Sequence, residues 1–268
     1  FGQVRQFVQL WYTELASRDE EISTTEATSR ADALITALEG HPRLQPLIRS
    51  PLLLTMLAIL HGNKNELPDD RVVLYEESVQ LLLERWEPER TILMQVRHQG
   101  LLERLAPPTL RLEQIREQLH QLALQVHTRP PGDDGRGALN RYELTGRMLD
   151  FFTNMRCDDP AAKVAIFIQA LNEEAGLLVA RGDDAYAFPH LTFQEYLAAC
   201  GLADLDDMVD QAYACWSGSD ADRWREVLLL FIGRLRQRGS LSIKRDALAW
   251  LERLLEKENG QHPKPTAQ

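Results

Sequence analysis

Apolar residues recur at helical spacing along most of the chain. Val4, Phe7, Val8, Trp11 and Leu15 form one stripe, and Ala31, Leu34, Ile35 and Leu38 form another that ends near Gly40. Ser50 suits an N-cap and Pro51 a first helical position, so a helix is expected to begin there and to stop at Gly62. Its body is apolar nearly all round, which predicts burial in the middle of a bundle. A turn over His61–Asn65 then leads to Val72, Tyr75, Val79, Leu82 and Trp86, one face of a further helix that Pro88 ends.

A second pattern starts near residue 100. Leu112, Ile115, Leu119, Leu122 and Val126 predict a helix, followed by a loop from Pro130 to Gly137. Leu144, Met148, Phe151 and Phe152 predict the next helix, and Val164, Phe167, Ile168 and Leu171 a third. Two short apolar runs, Gly176–Ala180 and Ala185–Phe188, flank Arg181-Gly182-Asp183-Asp184 and read as a β-hairpin. Three helices and a hairpin make a winged helix. Beyond it, Trp224, Val227, Leu228, Phe231, Ile232 and Leu235 mark one helix, and Ile243, Ala247, Trp250, Leu251 and Leu254 another; the polar tail from Gly260 is expected to fray. The expected fold is mainly α: a helical bundle, then a winged-helix domain with one small hairpin, then further helices. The expected domains are 1–95, with a boundary anywhere from 68 to 100, then 96–203 and 204–268.

Composition narrows the function more than the fold. The 268 residues are 44% hydrophobic and 26% charged, ordinary for a globular protein, and carry a net charge of −10. That balance opposes a general nucleic-acid or membrane binder. Cys157, Cys200 and Cys215 show no metal-type spacing and suit reduced thiols in a cytoplasmic setting. The longest apolar stretch, Pro51 to Leu60, is too short to span a bilayer. A chain that opens on Phe1 without a signal peptide is expected to be an excised piece.

The most informative run is FPHLTFQEYLAA, Phe188 to Ala199. Thr192-x-x-Glu195 reads as a capping box, with Leu191 and Tyr196 placed to staple the helix start. His190 would then sit just outside a helix N-terminus, a place that attracts anions, where its imidazole can donate to a phosphate oxygen. The plain alternative is a partly buried histidine bonded to backbone.

This run resembles the end of the winged helix in NACHT-type STAND NTPases, the nucleotide-switched family that includes NOD-like receptors and many bacterial defence proteins. Two upstream segments are similar to family motifs in the same order. Ser50-Pro51-Leu52-Leu53-Leu54-Thr55-Met56-Leu57 is similar to N-P-L-L-L-T-x-L, with Ser50 in place of the usual Asn, and Leu67 to Glu76 is similar to L-P-x-x-R-x-x-L-Y-E. The resemblance implies that His190 contacts the β-phosphate of ADP and that Pro51 packs on the adenine. It also implies ADP or ATP, with Mg²⁺, as ligands of a parent ATPase. The partners implied are a nucleotide-binding core upstream of Phe1, sensor repeats beyond Gln268, and further copies in a homo-oligomer formed on activation.

No G-x-x-x-x-G-K-[ST] phosphate loop occurs in the sequence, nor a strand ending in paired acids, so this chain alone is not expected to hydrolyse ATP. The Gly-rich loop at 132–137 follows two prolines and carries Asp133 and Asp134, which suits a linker better than a phosphate cradle. His120 and His127 lie seven apart on one helix face without a third metal ligand at suitable spacing. Neither a G-x-S-x-G elbow nor a histidine partner for Cys157 is evident, and no catalytic residue is assigned. A DNA-reading third helix would have to rely on Lys163, Gln169 and Asn172 against Glu173 and Glu174, and the wing adds Arg181 beside Asp183 and Asp184. No nucleic-acid or membrane partner is therefore expected. The favoured reading is the regulatory module of a NACHT ATPase, closed over ADP at rest and open for oligomerisation. The alternatives are a winged-helix DNA-binding regulator and a helical protein-interaction scaffold.

Overall fold

A computed structural model of the chain describes residues 1–18, 22–64, 66–68, 70–84, 105, 110–129, 137–182, 184–237, 245 and 252. The chain divides into two compact units at Leu81–Leu82.

The first unit holds α1 (Gly2–Arg18), α2 (Thr24–Gly40), two short 3₁₀ turns (Pro42–Leu44 and Leu47–Arg49), α3 (Pro51–Lys64) and most of α4 (Arg71–Glu84). Ser23 caps α2, its hydroxyl accepting the Glu26 N–H at 3.1 Å, and the expected stripe Ala31, Leu34, Ile35 and Leu38 is buried. On α1 the stripe marks the correct face, but Val8 is its only fully buried member, and Tyr12 joins it in the core. Tyr12 can be buried because its hydroxyl lies 3.2 Å from His61 Nδ1 on α3. Burial lowers the pKa of His61, so the ring is neutral and can accept that proton.

The α3 helix begins at Pro51 as expected, with Ser50 extended (φ −88°, ψ 119°) and its carbonyl taking the Leu54 N–H at 2.9 Å. Gly62 does not stop it. The helix runs on to Lys64, so the expected turn at 61–65 is mostly its last turn. A glycine this close to a helix end costs little, and a Cβ at Gly62 would come within 3.8 Å of the Tyr12 hydroxyl, so Tyr12 packs against a helix edge that has no side chain. Val72, Tyr75 and Val79 are buried on α4, while Trp86 and Pro88 lie outside the described residues.

The second unit contains α5 (Leu112–Thr128), β1 (Leu139–Asn140), α6 (Arg141–Asn154), α7 (Pro160–Gln169), a π turn (Ala170–Glu174), β2 (Val179–Arg181), β3 (Ala185–Ala187), α8 (Leu191–Ala203), α9 (Met208–Ser217) and α10 (Ala221–Gln237). The expected hairpin forms: β2 and β3 pair antiparallel, Val179 opposite Ala187, and Gly182 turns the corner at φ 61°. The sheet has a third strand that periodicity could not announce. The two-residue β1 pairs with β3, Leu139 opposite Tyr186, giving the order β1-β3-β2. The fold is thus mainly helical with one small antiparallel sheet, as the hydrophobic pattern predicts.

Ile115, Leu119, Leu122 and Val126 from α5 share the core of this unit with Leu144, Met148 and Phe152 from α6 and Val164, Phe167 and Leu171 from α7 and the π turn. Phe152 meets Phe167 edge-on at 6.0 Å, and each ring removed from water contributes about 2–3 kcal/mol. The α8 helix packs on both α5 and α10. The α9 helix was not foreseen, because Ala212 is its only fully buried residue and it leaves no clean stripe. The stripe from Ile243 to Leu254, the tail from Gly260 and residues 130–136 of the Gly-rich loop lie outside the described residues.

Candidate functional site

The chain enters the site from β3. Phe188 is fully buried, and Pro189 biases it towards extended backbone. His190 follows at φ −122°, ψ 120° and is itself the N-cap of α8. Its carbonyl accepts the N–H groups of Phe193 and Gln194, both at 3.2 Å. The amides of Leu191 and Thr192 stand ahead of the helix ladder, as the first N–H groups of any helix do.

This corrects the expected start. The helix begins two residues earlier than the capping box proposed, so Thr192 and Glu195 lie inside it. Leu191 becomes the first helical residue and is 39% exposed, whereas Tyr196 is fully buried, so the pair no longer holds the N′ and N4 positions of a staple. The driving force is burial: from Phe193 to Ala203 only Glu195 stays out of the buried set. An early start puts Phe193, Gln194 and Leu197 into the core between α5 and α10.

His190 itself is exposed, and its side chain makes no capping bond to its own helix. An exposed imidazole beside the first-turn amides is fit to receive a phosphate oxygen. The reading of His190 as a core histidine is not supported by its exposure. Pro51 is likewise exposed, at the first position of α3. It stands in the first unit and His190 in the second.

Besides His61 on α3, two histidines on α5 are buried. His120 Nδ1 lies 2.8 Å from Asp204 Oδ2 at the C-cap of α8. Burial pulls the His120 pKa down, but its hydrogen bond to Asp204 and the neighbouring Cys200 outweigh it and raise the pKa above the usual range. His127 Nε2 lies 3.2 Å from the carbonyl oxygen of Arg223, and its Nδ1 lies 3.3 Å from the amide nitrogen of Gln194. Burial first, and the charge of Arg223 second, lower the His127 pKa to about 4, so the ring is neutral. The seven-residue spacing thus places both rings against the α8–α10 side, where they bond protein groups rather than each other. Gln194 carried no expected role. The signal for it is a lone amide in an otherwise apolar helix, which must find a buried partner.

The third-helix polar groups are already engaged. Gln169 donates to Glu173 at 2.9 Å, and Asn172 accepts the Ala180 N–H at 3.1 Å, tying the π turn to the wing. Asp184 is exposed on the wing and Asp183 lies outside the described residues. Among the described residues no group of three or more metal-ligating side chains occurs. No described helix is long and apolar enough to cross a membrane.

Three helices, a short wing and a central helix that follows it define a winged-helix domain. Residues 71–202 match the family described as the winged helix-turn-helix domain C-terminal to NACHT, and that stretch of the chain is such a domain. Domains of this family lie C-terminal to the NACHT domain and form a non-catalytic region of NACHT proteins. No curated protein matches the chain significantly.

Proposed function

We propose that this chain is the nucleotide-responsive lid of a NACHT ATPase, with His190 as its phosphate contact. The observation that carries the reading is the exposed His190 ring at the start of α8, the helix most deeply buried in its unit. In the closed state the His190 imidazole donates an N–H to the β-phosphate of ADP, while Pro51 covers the adenine. The nucleotide and its Mg²⁺ are held mainly by the upstream core and supply the charge that His190 reads. An added γ-phosphate crowds the same place, biases the winged helix to swing away, and frees surfaces for self-assembly. Sensor repeats beyond this chain would supply the trigger.

A DNA-binding role gains no support from a third helix whose Gln169 and Asn172 are engaged within the domain, in a chain of net charge −10.

The test is His190→Ala in the protein that carries the NACHT domain. One hydrogen bond to a charged phosphate contributes about 1.5–3 kcal/mol, so ADP should leave roughly 10- to 150-fold faster. Melting temperature should hold, because His190 is exposed. A lower melting temperature with unchanged ADP release would overturn the assignment.

A further inference from the structure

His127 is the point where three helices of the second unit meet. It stands on α5 at 1% exposure and uses both ring nitrogens on neighbours from different helices. Nε2 faces the carbonyl oxygen of Arg223 near the start of α10, and Nδ1 faces the amide of Gln194 in the first turn of α8. Trp224 closes the ring edge-on, with centroids 4.7 Å apart.

The chemistry of the imidazole links these two bonds. A carbonyl oxygen can only accept, so Nε2 carries the ring proton. A neutral ring protonated at Nε2 has only a lone pair at Nδ1, so Gln194 must present its NH₂ group there. One proton therefore fixes the sense of both bonds, and each polarises the other through the ring. Loss of the bond to Arg223 releases the tautomer, and with it the requirement on Gln194. The main chain completes the path, since the Gln194 N–H donates to the His190 carbonyl at 3.2 Å.

We propose that His127 and Gln194 are positioning residues that hold the His190 end of α8 in register with α10, so that a displacement at either end is passed to the other through the single proton of the His127 ring. Naming a phosphate-bearing ligand such as a nucleoside diphosphate as what displaces His190 rests on the function proposed above. The coupling itself is a property of α5, α8 and α10.

The experiment uses this chain with ¹⁵N-labelled histidine and backbone, alongside Gln194→Glu and Gln194→Met. Wild type should show His127 as the neutral Nε2–H tautomer at pH 7; the Nδ1–H tautomer would overturn the proposal without any variant. An ionised glutamate can only accept, so Gln194→Glu should draw a proton to Nδ1. The Trp224 amide, which shares its peptide bond with the Arg223 carbonyl, should shift together with the His190 signals. A changed His127 ring with Trp224 and His190 both unmoved would sink the coupling.

ADP is then titrated to millimolar concentration. In wild type the His190 and Trp224 signals should move together, and in Gln194→Met the His190 shift should persist while the Trp224 response is lost. A Trp224 response that survives in Gln194→Met overturns the proposal. Absence of any His190 response in wild type counts against the phosphate role of His190 instead, and the ring-proton measurements still decide the coupling.

Discussion

The carbonyl oxygen of His120 lies where a side chain on Gly201 would begin: a Cβ there would stand 2.6 Å from that oxygen, 3.0 Å from its carbon and 3.1 Å from Leu124 Cβ. The α5 and α8 helices therefore approach backbone to backbone, and nothing in the seam can swing aside to admit a methyl group. Gly201→Ala should cost about 1–3 kcal/mol, the range of overpacked cores, read as a lower urea midpoint. A neutral result would mean that the helices separate freely, which would also loosen the hold of α8 on His190.

Gly146 is the matched control. It lies inside α6, where a Cβ would meet nothing within 4 Å. Gly146→Ala should stabilise the chain by about 0.5–1 kcal/mol by the same urea titration, because alanine is the better helix former and loses less backbone entropy. Opposite signs at two helical glycines would separate packing from propensity.

Arg156 offers a stabilising change of another kind. The end of α6 is a Schellman motif: the Cys157 N–H donates to the Phe152 carbonyl at 3.0 Å, and the Arg156 N–H to that of Thr153 at 2.9 Å. That motif needs a left-handed residue, and Arg156 supplies it at φ 54° where glycine is usual. Arg156→Gly should gain up to about 1 kcal/mol in a thermal or urea melt. Asp159, also left-handed at φ 49°, differs because its carboxylate caps α7 by accepting the Ala162 N–H at 3.1 Å. Asp159→Gly should therefore come out near neutral, strain relief offsetting a lost cap.

Buried histidines shifted in opposite directions predict a domed pH–stability curve. The folded pKa of His127 is lowered from 6.5 to about 4, so between those values the unfolded chain binds the extra proton. Stability is full above about pH 6.5 and falls as pH drops towards 4, by up to about 1.4 kcal/mol per unit. His120 has the opposite sign. Its folded pKa is raised, so its contribution is present below pH 6.5 and fades as pH rises through the folded value. Urea midpoints across pH 4–8 should peak near 6.5, with His127→Asn reducing the acid limb, to which His61 also contributes, and Asp204→Asn flattening the alkaline one.

The parts of this fold legible in the sequence are those where burial follows one helical face. Ile115, Leu119, Leu122 and Val126 make such a face, and so do Leu144, Met148 and Phe152. The α9 helix buries only Ala212, and β1 has two residues, so neither leaves a period to read. The start of α8 misled for a physical reason. Thr192-x-x-Glu195 has the chemistry of a cap, but the gain from burying Phe193 and Leu197 outweighs a cap worth about 1 kcal/mol. At the site, the place of His190 at a helix N-terminus was legible because caps and phosphates use local backbone. The partnership of Gln194 with His127 was not, because those residues lie 67 apart and only the packing of α8 on α5 brings them together.

The affinity of this chain for nucleotide follows from how little of a phosphate site it carries. Under the proposed function, His190 would offer one hydrogen bond to a charged oxygen and Pro51 one face to a base, together about 4 kcal/mol at most. That corresponds to a Kd on the order of 1 mM or poorer, measurable by calorimetry or by shifts of the His190 ring. Without a phosphate loop in the sequence, purified chain should release no phosphate from ATP. Because His190 is exposed, His190→Ala should leave the urea midpoint of the chain within about 0.5 kcal/mol of wild type. The same substitution should abolish the His190-dependent part of the binding. Micromolar ADP binding that survives in His190→Ala would mean that other groups hold the phosphates, and His190 would lose its role.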